Sequence, residues 1–268
     1  MKIHERGTRV KTSLLAHATA PEFSNWLDNE RATVLVPVGA LEQHGPHLPL
    51  GTDSLLATAV SLGAAERTGA KVAQTLNYGY KSQQKSGGGN HLRGTLSLDA
   101  DSLIGITRDI TRSFLQQGVR NLVFVNGHYE NYQFLYEGVD LALRDLGLSD
   151  PAGPSVLLLS YWDYVSESTL ATVYPQGFPG WDIEHGGVLE TSLMLHLHPE
   201  LVHMDEAVEH DPALLPRFDR LPVVPERTPD TGALSAPSGS TAQKGRLLFE
   251  QTVADLATDL STELGLER

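Results

Sequence analysis

Residues Thr33-Val-Leu-Val-Pro-Val38 run through Gly39-Ala-Leu into Glu42-Gln-His44-Gly-Pro-His-Leu-Pro-Leu-Gly-Thr-Asp53, and the reading of this junction decides the fold. An apolar, β-branched run closed by Gly39 predicts a buried strand, so the polar loop after it leaves the strand's carboxyl end. In open α/β sheets that edge is where ligands bind. Glu42 and His44 are i, i+2 neighbours, which in extended backbone point to one side. Pro46 and Pro49 stiffen the turn, Gly45 and Gly51 relieve it, and Asp53 arrives as a helical pattern begins at Leu55–Ala65. Taken singly, each is ordinary: Asp53 as a helix cap, His44 as a loop histidine, Glu42 as a surface charge.

A second stretch changes the weighting. The apolar run Asn121–Val125 is followed by Asn126-Gly-His128-Tyr-Glu130, again an imidazole and a carboxylate two residues apart after a strand. The two pairs and Asp53 supply two imidazoles and three carboxylates. Two divalent cations balanced by three carboxylates and one hydroxide close near neutrality. With no cysteine in the chain, Zn²⁺ or Mn²⁺ is favoured over softer ions. The expectation is a two-metal hydrolytic centre with Asp53 best placed to bridge ions about 3.5–4 Å apart.

Away from these loops the chain alternates strand, loop and helix. A short helix opens at Pro21 and carries Trp26; residues 1–20 otherwise lack a strong period. Further expectations are a helix over Asp53–Arg67, a strand over Lys71–Leu76, a short strand over Thr95–Leu98, helices over Asp99–Gln117 and up to Leu146, and a strand over Ser155–Ser160. A helix over about Gly187–Leu197 carries Glu190. Six prolines between Met204 and Gly239 forbid a long regular element, and an amphipathic helix over Gln243–Leu264 would bury Leu247, Leu248, Val253, Leu256 and Leu260. This order predicts an α/β fold of three layers, a mainly parallel central sheet with helices on both faces, as one domain over 1–268.

Composition narrows the partners. A net charge of −13 disfavours a nucleic-acid backbone or an anionic membrane surface, and no apolar run approaches the length of a membrane span. Together with the lack of cysteine this points to a cytoplasmic location. The loop Tyr78–His91 holds a glycine triplet that admits close backbone approach, with Ser86 and His91 as candidates for substrate contact or for plain solvation. It lacks the spacing of a phosphate-binding loop. Trp181 stands among glycines and charges, which suits a ligand-facing role; Trp162, at a strand end, suits either packing or a pocket. His196, His198 and His203 lack a carboxylate partner at useful spacing and read as structural.

The chain resembles the creatininase family through Glu42-Gln-His-Gly to Asp53, Tyr78-Gly-Tyr-Lys-Ser-Gln-Gln-Lys-Ser-Gly-Gly-Gly-Asn-His91, Asn126-Gly-His-Tyr-Glu-Asn131, Ser160-Tyr-Trp-Asp163 and Gly180-Trp-Asp-Ile-Glu-His-Gly-Gly187. The resemblance implies that Glu42, Asp53 and His128 hold one metal ion and His44, Asp53 and Glu130 the other. It implies substrate contacts from Ser86, Tyr129, Trp181, Asp182 and His185, a pocket lined by Trp162, and a homohexamer. The implied activity is hydrolysis of the cyclic amide of creatinine to creatine by a metal-bridging hydroxide. In it His185 protonates the leaving nitrogen, oriented by Glu190 or Glu184, and Glu130 relays a proton. Alternatives are a related amidohydrolase, acting on a formylated ribosylaminopyrimidine phosphate or on a peptide, and a catalytically idle metal-binding or assembly protein.

Overall fold

A computed structural model describes residues 13–28 and 31–266. Residues 1–12, the greater part of the amino-terminal stretch considered above, lie outside the described residues. Helix α1 (Ala20–Leu27) starts where Thr19 and Glu22 cap each other reciprocally, with Pro21 in its first turn. There follow β1 (Thr33–Val38), α2 (Thr52–Thr68), β2 (Lys71–Val72), α3 (Ala100–Gln116), β3 (Asn121–Asn126), α4 (Tyr132–Leu146) and β4 (Ser155–Ser160). Helices α5 (Glu167–Val173), α6 (Val188–Leu197) and α7 (Ala242–Leu264) complete the order.

The four strands form one parallel sheet in the order β2-β1-β3-β4. Alternation along the strands splits the core into two. Leu35, Val123 and Val125 pack toward α2, α6 and α7, while Val34, Val36, Val38, Leu122 and Phe124 pack toward α1, α3 and α4. Both faces are covered, which is why β1 and β3 are buried along their whole length instead of alternating with polar residues. Val38, Asn126 and Ser160 stand in register across β1, β3 and β4. The loops carrying Glu42, His128 and Trp162 therefore leave one edge of the sheet at one level.

Three expectations are corrected, and one helix is added. The strand over Lys71–Leu76 keeps regular pairing only at Lys71–Val72, because Pro37, next to last in β1, has no N–H to return. The chain still runs alongside, with Ala73 N–H donating to the Leu35 carbonyl (2.8 Å) and Leu76 N–H to that of Pro37 (3.0 Å). Thr95–Leu98 makes only single bridges, Leu96 to Leu41 and Leu98 to Tyr80, and is no strand. Helix α5 lies in a stretch where no helix was expected; Ser166 caps it by accepting from Thr169 N–H. Leu247 is 38% exposed, one position off the face that buries Leu248, Val253, Leu256 and Leu260.

Candidate metal centre

The side chains from the two strand-end loops and the start of α2 meet in a buried cluster. His44 Nε2 lies 2.9 Å from Asp53 Oδ1, and His128 Nδ1 lies 3.0 Å from Glu42 Oε1 and 3.1 Å from Asp53 Oδ2. The two carboxylate oxygens of Asp53 thus face two different imidazoles. Helix α2 can start so close to the ends of β1 and β3 only because Gly39 and Gly127 lack side chains: a Cβ at Gly39 would fall 2.4 Å from Ser54 N, and one at Gly127 2.6 Å from the Asp53 carbonyl oxygen. Glu190, in the first turn of α6, reaches into the same cluster, with Oε1 3.6 Å from His44 Nε2 and Oε2 accepting from Gly186 N–H at 2.7 Å.

Three sets of ligand atoms lie close enough to grip a common ion: Glu42, Asp53 and His128; His44, Asp53 and Glu190; Glu42, His44 and His185. Glu130 belongs to none of these. Its Oε1 accepts from Gln83 N–H and from the Ser86 hydroxyl, each at 2.6 Å, and its Oε2 is 3.3 Å from His128 Nε2. The geometry thus places Glu190 beside His44 and Asp53, and Glu130 on the outer side of the His128 ring, where the Tyr80 carbonyl also lies at 3.0 Å. No spacing rule pointed to Glu190 as a ligand, because it comes from a helix about sixty residues beyond the second pair.

Three buried atoms in this cluster have no aligned hydrogen-bond partner: Glu42 Oε2, His44 Nε2 and Glu130 Oε2. Buried carboxylates and imidazoles left so are costly unless something else binds them. The donor set is nitrogen and carboxylate oxygen without thiolate, which suits zinc or manganese. Without a cation the cluster must retain protons. Burial opposes charge on His44, but the carboxylates of Glu190 and Asp53 outweigh it and raise its pKa well above the usual value. The same balance, with Glu42 and Glu130 as the carboxylates, raises His128. Burial raises Glu130, with the like charge of Glu42 adding to it against the opposing pull of His128.

His185 is buried 4.3 Å, ring centre to ring centre, from His44. Neither Glu190 nor Glu184 orients it. Its Nε2 lies 2.8 Å from the backbone carbonyl of Gln43, so that nitrogen carries the proton and Nδ1 turns toward Glu42, 3.9 Å away. Burial and the adjacent His44 lower its pKa. Glu184 instead caps α6: its Oε1 accepts from Leu189 N–H (2.6 Å) and Glu190 N–H (3.3 Å), and burial with the neighbouring Glu190 pushes its carboxyl up to about 7.

A cavity of about 40 Å³ opens against the cluster, lined among others by Ser86, Tyr129, Trp162, Trp181 and His185. Tyr129, 52% exposed, stacks on Trp162 at 6.3 Å and 19°. Trp181 leans edge-on against Phe178 at 4.7 Å. Asp182 is exposed and does not line the cavity, and His91 is likewise exposed. His196 sits against Phe249, consistent with a packing role. Two amides that spacing rules did not single out hold the loops together. Asn131 donates to the Gly39 carbonyl (3.1 Å) and accepts from Tyr80 N–H (2.8 Å). Gln43 donates to the Gly232 carbonyl (2.8 Å) and accepts from Gly45 N–H (3.0 Å), fastening the proline-rich segment over the site.

Known proteins resemble the chain along nearly its whole length. Residues 16–260 match the family model described as creatinine amidohydrolase. The creatinine amidohydrolase of Pseudomonas putida is 48% identical over 254 residues, covering 94% of this chain and 98% of that protein. A mycofactocin precursor peptide peptidase of Mycobacterium ulcerans is 32% identical over 251 residues, 89% and 88% of the two chains. A crystal structure of creatininase superimposes with a TM-score of 0.93 at 47% identity, covering 96% of this chain and all of that one. A manganese form of creatininase, at 48% identity and over 95% and 99% of the two chains, gives 0.92.

Proposed function

The chain belongs to the creatininase family, and on that premise we propose that it hydrolyses creatinine to creatine at a two-metal centre. The observation that carries the proposal is the buried cluster in which Asp53 presents one oxygen to His44 and the other to His128. In this reading Glu42, Asp53 and His128 hold one ion, and His44, Asp53 and Glu190 the other. Zinc or manganese there would lower the pKa of a coordinated water and stabilise the oxyanion formed at the ring carbonyl.

The chain's own groups do the rest. Hydrolysis adds water across the ring amide: a C–O bond forms, the ring C–N bond breaks, and the departing nitrogen must gain a proton. His185 Nδ1, left unprotonated because Nε2–H is committed to the Gln43 carbonyl, can take the proton the water releases and hand it to that nitrogen. A lowered pKa suits this relay, since the imidazole starts neutral and gives its proton up readily. Glu130, held by Gln83 and Ser86, fixes the outer edge of the His128 ring.

Creatinine is small and flat, and the aromatic wall of Tyr129, Trp162 and Trp181 suits it better than an extended peptide. A cavity of about 40 Å³ is too small for it, so the segment bearing Trp181 would have to move; Gly180 and Gly186, both at positive φ, flank that segment as hinges. The test is creatine release from creatinine by zinc- or manganese-loaded protein, run beside a formylated amine and a short peptide. The proposal expects turnover of creatinine alone. Turnover of the peptide without creatinine would replace it.

A further inference from the structure

The loop 81–86 that serves Glu130 also borders a second cavity, of about 510 Å³, which shares no lining residue with the first. Its wall holds four cations, Lys81, Lys85, Arg220 and Arg227, against one acid, Asp219. In a chain of net charge −13 such a concentration runs against the overall balance. Lys81 is paired with Asp99, outside the cavity wall. Arg227 has its guanidinium carbon 5.8 Å from the centre of the Phe218 ring, while its Nη1 is buried without any hydrogen-bond partner. A buried donor on a charged group left unpaired is costly, so its persistence calls for an acceptor.

We propose that this cavity binds a small oxyanion, a carboxylate or a phosphate, with Arg227 as its anchor and Lys85 and Arg220 as flanking charges. The planar guanidinium fork matches two oxygens of either group, and the Phe218 ring lies within cation–π distance of it. The size falls within the range of small-molecule sites. The turn bearing Arg227 is tied to the 81–86 loop, since Gln84 Nε2 donates to the Val224 carbonyl (2.7 Å) and to Thr228 Oγ1 (3.0 Å). The same loop donates Gln83 N–H and the Ser86 hydroxyl to Glu130. An anion seated there lies one loop away from the metal centre without entering it.

The test is titration calorimetry with inorganic phosphate and, separately, acetate, at ionic strength held constant with sodium chloride, on the metal-loaded and the chelated protein. The proposal predicts saturable one-to-one binding of at least one anion to both forms; whichever binds identifies the class. Arg227→Met and Lys85→Met should each weaken binding by about tenfold or more, and the anion-free melting temperature of Lys85→Met should match the parent's. Should Arg227→Met fold poorly, Lys85→Met carries the test alone. Absence of saturable binding, binding confined to the metal-loaded form, or a folded Lys85→Met that binds as tightly as the parent would overturn it.

Discussion

His44 Nε2 and Asp53 Oδ1 stand 2.9 Å apart, both buried, without the alignment of a hydrogen bond. A donor and an acceptor this close in a dry interior would be expected to align if a shared proton were all that joined them. Their geometry suits two ligands converging on a third body.

It follows that removing a convergent carboxylate should empty one position. Glu190→Gln is expected to lower bound zinc from about two ions per chain to about one, read by atomic absorption after dialysis. Glu130→Gln should instead weaken the ion on His128 by about 10–100-fold, as loss of an outer partner does. Two ions retained in Glu190→Gln, with the His44 ion lost in Glu130→Gln, would exchange the roles of the two glutamates.

The proton relay makes a separate claim on His185. His185→Ala should reduce kcat by about 10²–10⁴-fold while KM changes little, because the imidazole acts in the bond-breaking step. A variant with near-normal kcat would remove His185 from the relay.

Trp181 closes the cavity instead of holding ions. Trp181→Ala should lower kcat/KM by about tenfold or more with metal content unchanged. Loss of metal in parallel would show that the side chain supports the fold of the loop.

Close approach is tested at Gly127, whose missing Cβ lets the His128 loop lie on the Asp53 carbonyl. Gly127→Ala should separate β3's loop from α2, lowering the melting temperature and weakening metal binding together. An alanine variant with both intact would mean that the contact yields at no cost.

Acid stability carries a further signature. Burial and the nearby His44 hold His47 down to about 4, with its Nε2 bonded to Thr191 Oγ1 at 2.9 Å. Between pH 6.5 and 4 the unfolded chain therefore binds a proton at this residue that the folded chain refuses, so stability falls as pH drops through that window. His47→Gln should show a shallower fall in melting temperature between pH 6.5 and 4 than the parent. Parallel curves would exclude His47 as a contributor.

Much of this was legible in the sequence because the strands carry their own signals. Thr33–Val38 and Ser155–Ser160 end where the apolar runs end, and the helix stop at Gly147 follows from its left-handed backbone. The paired motifs after β1 and β3 fall together because adjacent parallel strands finish in register. What failed depended on partners far along the chain. Lys71–Leu76 lost its middle pairing to a proline on a different strand, and Leu247 misses the buried face by one step. The resemblance implies Glu190 or Glu184 as the group that orients His185, yet α6 docks Glu190 beside His44, a placement set by tertiary packing against α7 that no local pattern encodes.

The most direct measurement is creatine formation by chelated protein as zinc or manganese is returned in fractions of an equivalent per chain. The account predicts no creatine without metal, and activity that climbs to a break at two equivalents. Creatine formed by the metal-free chain, or none formed once two ions are bound, would contradict it.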